Sequence, residues 1–292
     1  MDTGVLKGYE AFQCKAPFDF SRHSSIGCGG KARVAFYPRS VEETVVLLNK
    51  LKTDGVPYSV LGNLTNVLPC DGDTDTVVVC LKAMNGIAVS EETFAYAGAT
   101  ASGLLRACKA ANKSGGEFLY GVPCTLGGAL YMNAGAGGVY ICEIVKSVLV
   151  YDGEKTRILS VKDCEYSYKK SAFMQNGNVI LGASLRLETA DLPTIESREE
   201  YYMQRRKHLP KGRSMGCIFK NPTVGFAGEL IEKSGLKGLR VGGAKVSEEH
   251  ANFIINDRNA SARDIRALIS LIKNAVWSQY GVKLEEEIEY LQ

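Results

Sequence analysis

The feature that most constrains the fold is a run of small residues from Tyr120 to Gly138, which reads YGVPCTLGGALYMNAGAGG. Glycine and alanine are frequent here, and side chains this small contribute little to a hydrophobic core. A tight turn needs only a few residues, whereas this segment is far longer. We therefore expect its backbone to approach a ligand closely. Because Gly127 and Gly128 lack Cβ atoms, their N–H groups can form a nest for diphosphate oxygens, with the Thr125 hydroxyl as a further donor.

A second polar loop, residues 61–68, reads LGNLTNVL and follows a predicted strand over residues 58–61. Glycine followed by Asn, Thr and Asn at the end of a strand is typical of ligand-contacting backbone in α/β sheets. An Asx-type turn explains the same residues without a ligand, and the loop alone favours that interpretation. The preceding strand, over residues 32–37, and a helix capped by Ser40 predict an α/β subdomain.

Composition limits the classes of partner that we expect. The 292 residues are 45% hydrophobic and 23% charged, which suits two compact domains. A net charge of +3 is too small to indicate a nucleic-acid surface, and no apolar run is long enough to span a membrane. Residues 1–10 contain no apolar core of an export signal. Nine cysteines without zinc spacing, together with three dispersed histidines, predict no metal site and a reducing cytoplasm.

The remaining pattern predicts where the domains divide. Strands are expected over residues 144–151, 157–160 and 179–187, and a capping box at Ser197 and Glu200 predicts a helix to about Lys207. The predicted pattern changes from strands to a helix near residue 190. We therefore predict a first domain over 1–190, with subdomains of about 1–80 and 81–190, and a smaller α+β domain over 191–292 that contains a long amphipathic helix near its end.

Read together, these motifs resemble the bacterial UDP-N-acetylenolpyruvoylglucosamine reductases, the MurB family. Residues 121–129 (GVPCTLGGA) are similar to the family's GIPGSIGGA, residues 132–136 (MNAGA) match its continuation, and residues 216–222 (GCIFKNP) are similar to GSxFKNP. The resemblance extends from about Ser24 to Leu291. It implies an α+β protein with an FAD-binding fold of the vanillyl-alcohol-oxidase/p-cresol-methylhydroxylase type, in two α/β subdomains, plus a smaller C-terminal α+β substrate domain.

The same resemblance implies a reaction and its participants. NADPH would reduce FAD, and the flavin would pass a hydride to UDP-N-acetylglucosamine-enolpyruvate to give UDP-N-acetylmuramate in a cytoplasmic monomer, with no nucleic-acid or membrane partner. The residues implied to bind FAD are Gly62, Asn63, Thr65, Asn66, Gly121, Pro123, Thr125, Gly127, Gly128, Asn133 and Ala134. Those implied to bind the UDP-sugar are Tyr168, Arg205, Lys220 and Asn221.

Three residues are implied to be catalytic. Lys169 and Glu287 would stabilise the negative charge that hydride addition places on the substrate carboxylate, and Cys217 would deliver the proton. The family has Arg where this chain has Lys169, so the bidentate fork is lost while the charge remains. It has Ser where this chain has Cys217, and a thiol, with an ordinary pKa of about 8.5, is the stronger acid.

Other interpretations of these residues stay open. Lys169 lies beside another lysine in a run typical of a solvated turn, Cys217 could be an inert thiol, and Glu287 could be one surface charge of an acidic segment. Leu64 and Cys124 replace family glycines, so a Cβ atom stands where a diphosphate would contact the backbone. The alternatives are therefore a flavoprotein paralogue with a changed substrate and a non-catalytic protein that binds UDP-sugars without flavin.

Overall fold

The computed structural model describes residues 7–291, which form two compact units. The first six residues of the stretch expected to lack an export signal lie outside this range. The first unit comprises residues 7–16, Val34–Asn63 and Thr76–Lys207, and the second comprises Pro17–Arg33, Leu64–Asp75 and residues 208–291.

The described residues form helices and strands along the whole range. The α-helices are α1 (Phe20–His23), α2 (Val41–Thr53), α3 (Ala101–Ala110), α4 (Leu126–Tyr131), α5 (Phe173–Asn176), α6 (Leu192–Arg206), α7 (Ala227–Lys233) and α8 (Ala262–Tyr280), with 3-10 turns at Leu81–Ala83, Glu117–Leu119, Ile141–Glu143 and Lys162–Cys164. The strands are β1 (Cys14–Lys15), β2 (Phe18–Asp19), β3 (Lys31–Ala32), β4 (Ala35–Phe36), β5 (Tyr58–Leu61), β6 (Val67–Pro69), β7 (Val77–Cys80), β8 (Ile87–Val89), β9 (Thr93–Tyr96), β10 (Lys113–Ser114), β11 (Gly135–Ala136), β12 (Val139–Tyr140), β13 (Val145–Tyr151), β14 (Thr156–Ser160), β15 (Val179–Leu185), β16 (Glu188–Thr189), β17 (Arg240–Val241), β18 (Ala244–Val246), β19 (Ile254–Asn256) and β20 (Glu289–Leu291).

Two sheets organise the first unit. One has the order β1-β4-β7-β5 with parallel β4–β7 and β5–β7 pairs, and the other has the antiparallel order β14-β13-β15-β9-β8. The strands predicted from alternating hydrophobicity at 144–151, 157–160 and 179–187 are confirmed as β13, β14 and β15. Helix α2 begins where predicted, because Ser40 Oγ accepts a hydrogen bond from Glu43 N at 3.1 Å. The fully buried core residues include Leu47, Leu48, Leu51, Val77, Val79, Leu130, Val148 and Leu181.

The predicted start of helix α6 is wrong. Asp191, not Ser197, caps this helix, because the Asp191 carboxylate accepts a hydrogen bond from Thr194 N at 3.0 Å. Pro193 then lies in the first turn, where its fixed φ angle and missing N–H cost nothing. The helix therefore begins more than a turn before the predicted capping box and belongs to the first unit.

The second unit combines α7 and α8 with the antiparallel sheet β17-β18-β19 and the parallel pair β6–β20. Ser261 caps α8 in a capping box with Asp264, and Gly281 ends the helix at φ 66°. The buried face of α8 consists of Ala262, Ile265, Leu268, Ile269, Ile272 and Val276. This amphipathic pattern joins residues of α7 and the sheet in a core of its own.

The two compact units differ from the predicted domains. Residues 17–33 and 64–75 belong to the second unit although they come early in the chain, and α6 belongs to the first unit although it follows residue 190. Parallel pairing of Val67 with Glu289 makes the loop that follows Asn63 part of the second unit. The division into domains over 1–190 and 191–292 stays a prediction.

Candidate active site

Two of the predicted cofactor loops contact one another within the first unit. The side-chain Nδ2 of Asn63 donates a hydrogen bond to the carbonyl oxygen of Pro123 at 2.8 Å. A Cβ atom at Gly62 would lie 2.3 Å from Thr125 Oγ1, so this approach requires glycine. The structure therefore brings Gly62 and Asn63 to the start of the glycine-rich run. Both segments were expected to hold one diphosphate.

The amides at the start of α4 already have partners. Thr125 is buried and caps the helix, with its Oγ1 accepting from Gly128 N at 3.4 Å. Gly127 N donates to the carbonyl of Ala97 at 2.8 Å. The open nest that we expected from these two N–H groups is not what the structure has. Gly127 instead allows close packing, because a Cβ atom there would lie 3.0 Å from the Ala97 side chain.

The later glycines of the run form a hairpin beside α6. Strands β11 and β12 pair around a turn in which Gly137 has φ 65°, a left-handed conformation that favours glycine. A Cβ at Gly137 would lie 3.1 Å from Tyr202 Cε1 and 3.9 Å from Arg205 Nε. A Cβ at Gly121 would lie 3.0 Å from Arg206 Nε. The basic end of α6, including the predicted substrate residue Arg205, thus lines the glycine-rich run.

Lys169 lies at a tight turn, residues 167–170, that is fastened to this run. Lys169 has φ 55°, which few non-glycine residues adopt, and two backbone hydrogen bonds of 3.1 Å close the turn. Asn133 Nδ2 donates to the carbonyl of the first turn residue at 2.9 Å. Ser171 Oγ donates to the carbonyl of Tyr131 at 2.6 Å. Residues at the end of α4 therefore position the turn that carries Lys169.

Tyr168 lies in the same turn. Its side chain is exposed, and its ring meets the Tyr140 ring edge-on at 6.2 Å between centroids. Since Tyr140 ends the glycine hairpin, Tyr168 also lies beside the glycine-rich run. Ala134, predicted to bind the cofactor, has its N–H bonded to the Ala129 carbonyl at 2.8 Å.

Cys217 and Glu287 lie on neighbouring chain segments in the second unit. Glu287 N donates to the carbonyl of Ile218 at 2.8 Å, so these segments pair directly after Cys217. On the other side, Cys217 forms an antiparallel bridge with Phe253, and Ile218 N donates to the Asn252 carbonyl at 2.8 Å. Main-chain pairing on both sides therefore holds the segment that carries Cys217.

The substrate residues predicted after Cys217 have structural contacts as well. Lys220 N donates to the carbonyl of Glu285 at 2.8 Å, and Lys220 Nζ lies 3.5 Å from the Glu285 carboxylate. Asn221 Oδ1 accepts from Ala227 N at 3.1 Å and so helps to begin α7. Burial raises the pKa of the Glu289 carboxyl, and the positive charge of Lys220 partly offsets that rise. The mostly buried side chain of Lys220 thus lies next to the segment that carries Glu287.

The comparisons with known proteins agree on one family. A family model described as the UDP-N-acetylenolpyruvoylglucosamine reductase C-terminal domain matches residues 207–291, and a model described as an FAD binding domain matches residues 32–161. The UDP-N-acetylenolpyruvoylglucosamine reductase of Clostridioides difficile is 40% identical over 275 residues, which are 92% of this chain and 90% of that enzyme. The chain belongs to the UDP-N-acetylenolpyruvoylglucosamine reductase family.

Other members of the reductase family agree with this assignment. The reductase of Thermosipho melanesiensis is 40% identical over 91% of this chain and 92% of its own. The crystal structure of the reductase (MurB) from Thermus caldophilus superposes with a TM-score of 0.82 at 30% identity, covering 96% of this chain and 99% of that one. A solvent-stable cholesterol oxidase shares the fold alone, with a TM-score of 0.51 at 18% identity over 63% of this chain. The predicted family, fold class, enzyme class and FAD cofactor are confirmed.

The glycine-lined loops fit the FAD that a reductase of this family contains. The contact between the Gly62 loop and Thr125 leaves no room for a side chain at Gly62, and the turn at Gly138 opens into space free of protein atoms within 4 Å of a Cβ position. Because glycine has no Cβ atom, a dinucleotide can approach the backbone closely at such positions. The structure thus supports the loops as the FAD site, while the role of each named residue stays a prediction.

The two departures from the reductase glycine pattern are accommodated differently. Leu64 keeps the left-handed backbone that glycine favours, with φ 49°, and its side chain is buried with 5% exposure. Cys124 is partly buried against the first core, and burial raises the pKa of its thiol to about 11, although the nearby Arg206 charge opposes that rise. The Cys124 thiol therefore stays neutral near pH 7.

One long-range contact between predicted site residues was missed in the sequence. Asn66, predicted to bind FAD, donates from Nδ2 to the carbonyl of Glu287 at 3.0 Å. Nothing in the local sequence signals this contact, because 221 positions separate the two residues. Thr65 precedes Asn66 in the same loop of the second unit.

Among residues 7–291 no helix is long and apolar enough to cross a membrane, and no group of His, Cys, Asp and Glu could hold a metal ion.

Proposed function

We propose that this protein reduces UDP-N-acetylglucosamine-enolpyruvate to UDP-N-acetylmuramate, with NADPH as the reductant, as a cytoplasmic monomer. Bound FAD would relay the hydride from NADPH to the substrate double bond. The Gly62–Asn63 loop and the glycine-rich run would hold the FAD diphosphate. The observation that carries the proposal is the hydrogen bond between Glu287 N and the Ile218 carbonyl, which places Glu287 on the segment next to Cys217.

The chemistry explains why these residue types are needed. Hydride addition at one carbon of the enolpyruvyl group moves an electron pair toward the carboxylate, where negative charge accumulates. Lys169 and Glu287 would stabilise the intermediate that carries this charge. The Cys217 Sγ–H bond would then break as its proton moves to the other carbon. The thiolate that remains would regain a proton from water.

A half-reaction experiment tests the role of Cys217. Replacing Cys217 with Ala removes the proton donor but none of the predicted cofactor contacts. We expect flavin reduction by NADPH to stay intact, while product formation falls by roughly 10²–10⁴-fold, the usual contribution of a general acid. Cys217→Ser is the matched control, because it keeps a hydroxyl proton at the same position. Survival of both half-reactions in Cys217→Ala would show that the proton comes from elsewhere.

A paralogue with a changed substrate is the second candidate function. Lys169 and Cys217 in place of the family's Arg and Ser favour it, since both residues would face the reacting carboxylate and carbon. A purified protein with a flavin absorption band and NADPH oxidation that depends on UDP-N-acetylglucosamine-enolpyruvate would support the reductase. A flavin band without substrate-dependent oxidation would support the paralogue. Light scattering on the eluted protein, with an expected mass near that of one 31.6 kDa chain, tests the monomer.

A further inference from the structure

Asn66 joins the loop after Asn63 to the segment that carries Glu287. Its side-chain Nδ2 donates to the main-chain carbonyl of Glu287 at 3.0 Å. Its own carbonyl accepts from Glu289 N at 2.9 Å. These two bonds begin the parallel pairing of β6 with β20. The Asn66 side chain therefore bonds the Glu287 carbonyl, as a main-chain N–H would if β6 were one residue longer.

Both main-chain polar groups of Glu287 are consequently in use. Its N–H donates to the Ile218 carbonyl at 2.8 Å, and its carbonyl accepts from Asn66. The peptide planes on both sides of Glu287 are thereby fixed, and with them the direction of the Cα–Cβ bond. Because Ile218 follows Cys217, the same contacts also hold the Glu287 segment next to the segment that carries the candidate proton donor.

We propose that Asn66 is a positioning residue for Glu287 in the reduction of the enolpyruvyl group. The inference rests on the function proposed above. Without the Asn66 amide, the bond to Ile218 would still hold one side of Glu287, and the bond from Glu289 N to the Asn66 carbonyl would still hold the β6–β20 pair. The peptide between Glu287 and Ile288 would lose the hydrogen bond from Asn66, and its rotation would displace the Glu287 carboxyl. A displacement of about 1 Å in a catalytic group can cost about 10²-fold in rate.

The second unit offers a matched control in Asn256. This buried residue also bonds main-chain groups through its amide, donating to the carbonyls of Ile26 at 2.8 Å and Gly27 at 3.2 Å, and accepting from Ala260 N at 2.7 Å. None of these four residues is a predicted catalytic or binding residue. Asn256→Ala should therefore lower stability without selectively slowing chemistry at Glu287.

The experiment isolates the step that needs Glu287. FAD-loaded enzyme is reduced with dithionite and mixed anaerobically with UDP-N-acetylglucosamine-enolpyruvate, and flavin reoxidation is followed by stopped flow. We expect Asn66→Ala to slow reoxidation by roughly 10–100-fold at saturating substrate and saturating FAD, so that a change in FAD affinity does not enter the rate. Asn66→Asp, which keeps the shape but loses the donor, should behave alike and serves if the alanine variant does not fold.

A double-variant cycle separates positioning from general loosening. If Asn66 acts through Glu287, then Asn66→Ala adds no further loss to a Glu287→Ala enzyme, because residues that act as a unit are non-additive. Rate losses that multiply, or an equal non-additive loss in Asn256→Ala, would overturn the inference. Unchanged reoxidation together with weakened FAD binding would overturn it in favour of the predicted cofactor contact. If Glu287→Ala is itself silent, the catalytic role proposed for Glu287 fails first, and positioning by Asn66 fails with it.

Discussion

The turn that carries Lys169 and the strand-like segments that carry Cys217 and Glu287 are held by different kinds of contact. Lys169 has a left-handed backbone, and two side chains, Asn133 and Ser171, fasten its turn to neighbouring carbonyls. Cys217 and Glu287 lie on extended segments that are paired through main-chain hydrogen bonds. The main-chain bonds at the Cys217 segment do not depend on the Cys217 side chain, whereas the Lys169 turn depends on the side chains of Asn133 and Ser171.

This difference bears on how each region can evolve. A residue on a paired strand can be exchanged, as Cys217 for the family's Ser, while the backbone keeps its place. A residue at φ 55° is already in a conformation that costs about 1 kcal/mol or more for a non-glycine residue. We therefore expect substitutions in the turn to affect both geometry and chemistry, and a substitution at Cys217 to affect chemistry alone.

Within the turn, the largest effect is expected at Lys169 itself. Lys169→Met removes the ammonium but keeps a side chain of similar length, so turnover should fall by about 10²–10³-fold, as when one charge-stabilising donor is lost. Steady-state kcat measures this loss. Lys169→Arg should raise turnover, because a guanidinium can hold a carboxylate in a bidentate manner. A drop in kcat for the arginine variant would show that the turn has been rebuilt around lysine.

The next effect concerns the contact that ties the turn. Ser171→Ala removes the hydrogen bond to the Tyr131 carbonyl, which should lower the free energy of unfolding by about 1–3 kcal/mol and reduce kcat as the turn loosens. Ser234→Ala is the matched control, because Ser234 Oγ donates to the Leu230 carbonyl at 2.9 Å near the end of α7. Urea denaturation and kcat measure both changes. Equal kcat in the two variants would contradict the distinction between the regions.

A smaller effect is expected at Leu64, the left-handed residue that precedes Asn66. Leu64→Gly would relieve about 1 kcal/mol of backbone strain but lose about 2–3 kcal/mol of side-chain burial, so the protein should be less stable by about 1–2 kcal/mol. Because the leucine side chain is buried, FAD affinity should change little. Titration of the apoenzyme with FAD measures this affinity, and a large increase would mean that Leu64 obstructs the cofactor.

The smallest effect concerns His250, which accepts a hydrogen bond from Asn252 N at 3.2 Å beside the Cys217 segment. Burial lowers the pKa of His250, so the folded protein favours the neutral ring. Its contribution to stability is present above the ordinary pKa of about 6.5 and is lost as the pH falls through the lower folded value. Urea midpoints at pH 7.5 and pH 5.5 should differ less in His250→Asn than in the parent protein.

Much of the site could be predicted because its signals are local. The glycine-rich run, the loop at Gly62 and the segment after Gly216 are each continuous in the chain, so their resemblance to a family was visible. The exchange of Ser for Cys217 could also be read directly. What local sequence could not reveal was which N–H groups remain available, since Gly127 N is bonded to a carbonyl 30 residues earlier.

The errors in the fold have physical causes. Ser197 and Glu200 do have the spacing of a capping box, but Asp191 followed by Pro193 begins the helix earlier, and only one start is possible. The membership of residues 64–75 depends on the pairing of Val67 with Glu289, for which neither segment has a local signal. Long-range parallel pairing is the kind of contact that a single sequence does not disclose.

The three-segment composition of the second unit has a consequence for synthesis on the ribosome. Ile26 and Leu68, both fully buried in the finished protein, emerge early, but most of the apolar residues that cover them lie after residue 208. Residues 76–207 must be translated in between, which at roughly 5–20 residues per second takes on the order of ten seconds. During that interval the nascent chain exposes the apolar side chains of Ile26 and Leu68. A holdase chaperone should therefore bind the nascent chain until residues after 208 are synthesised.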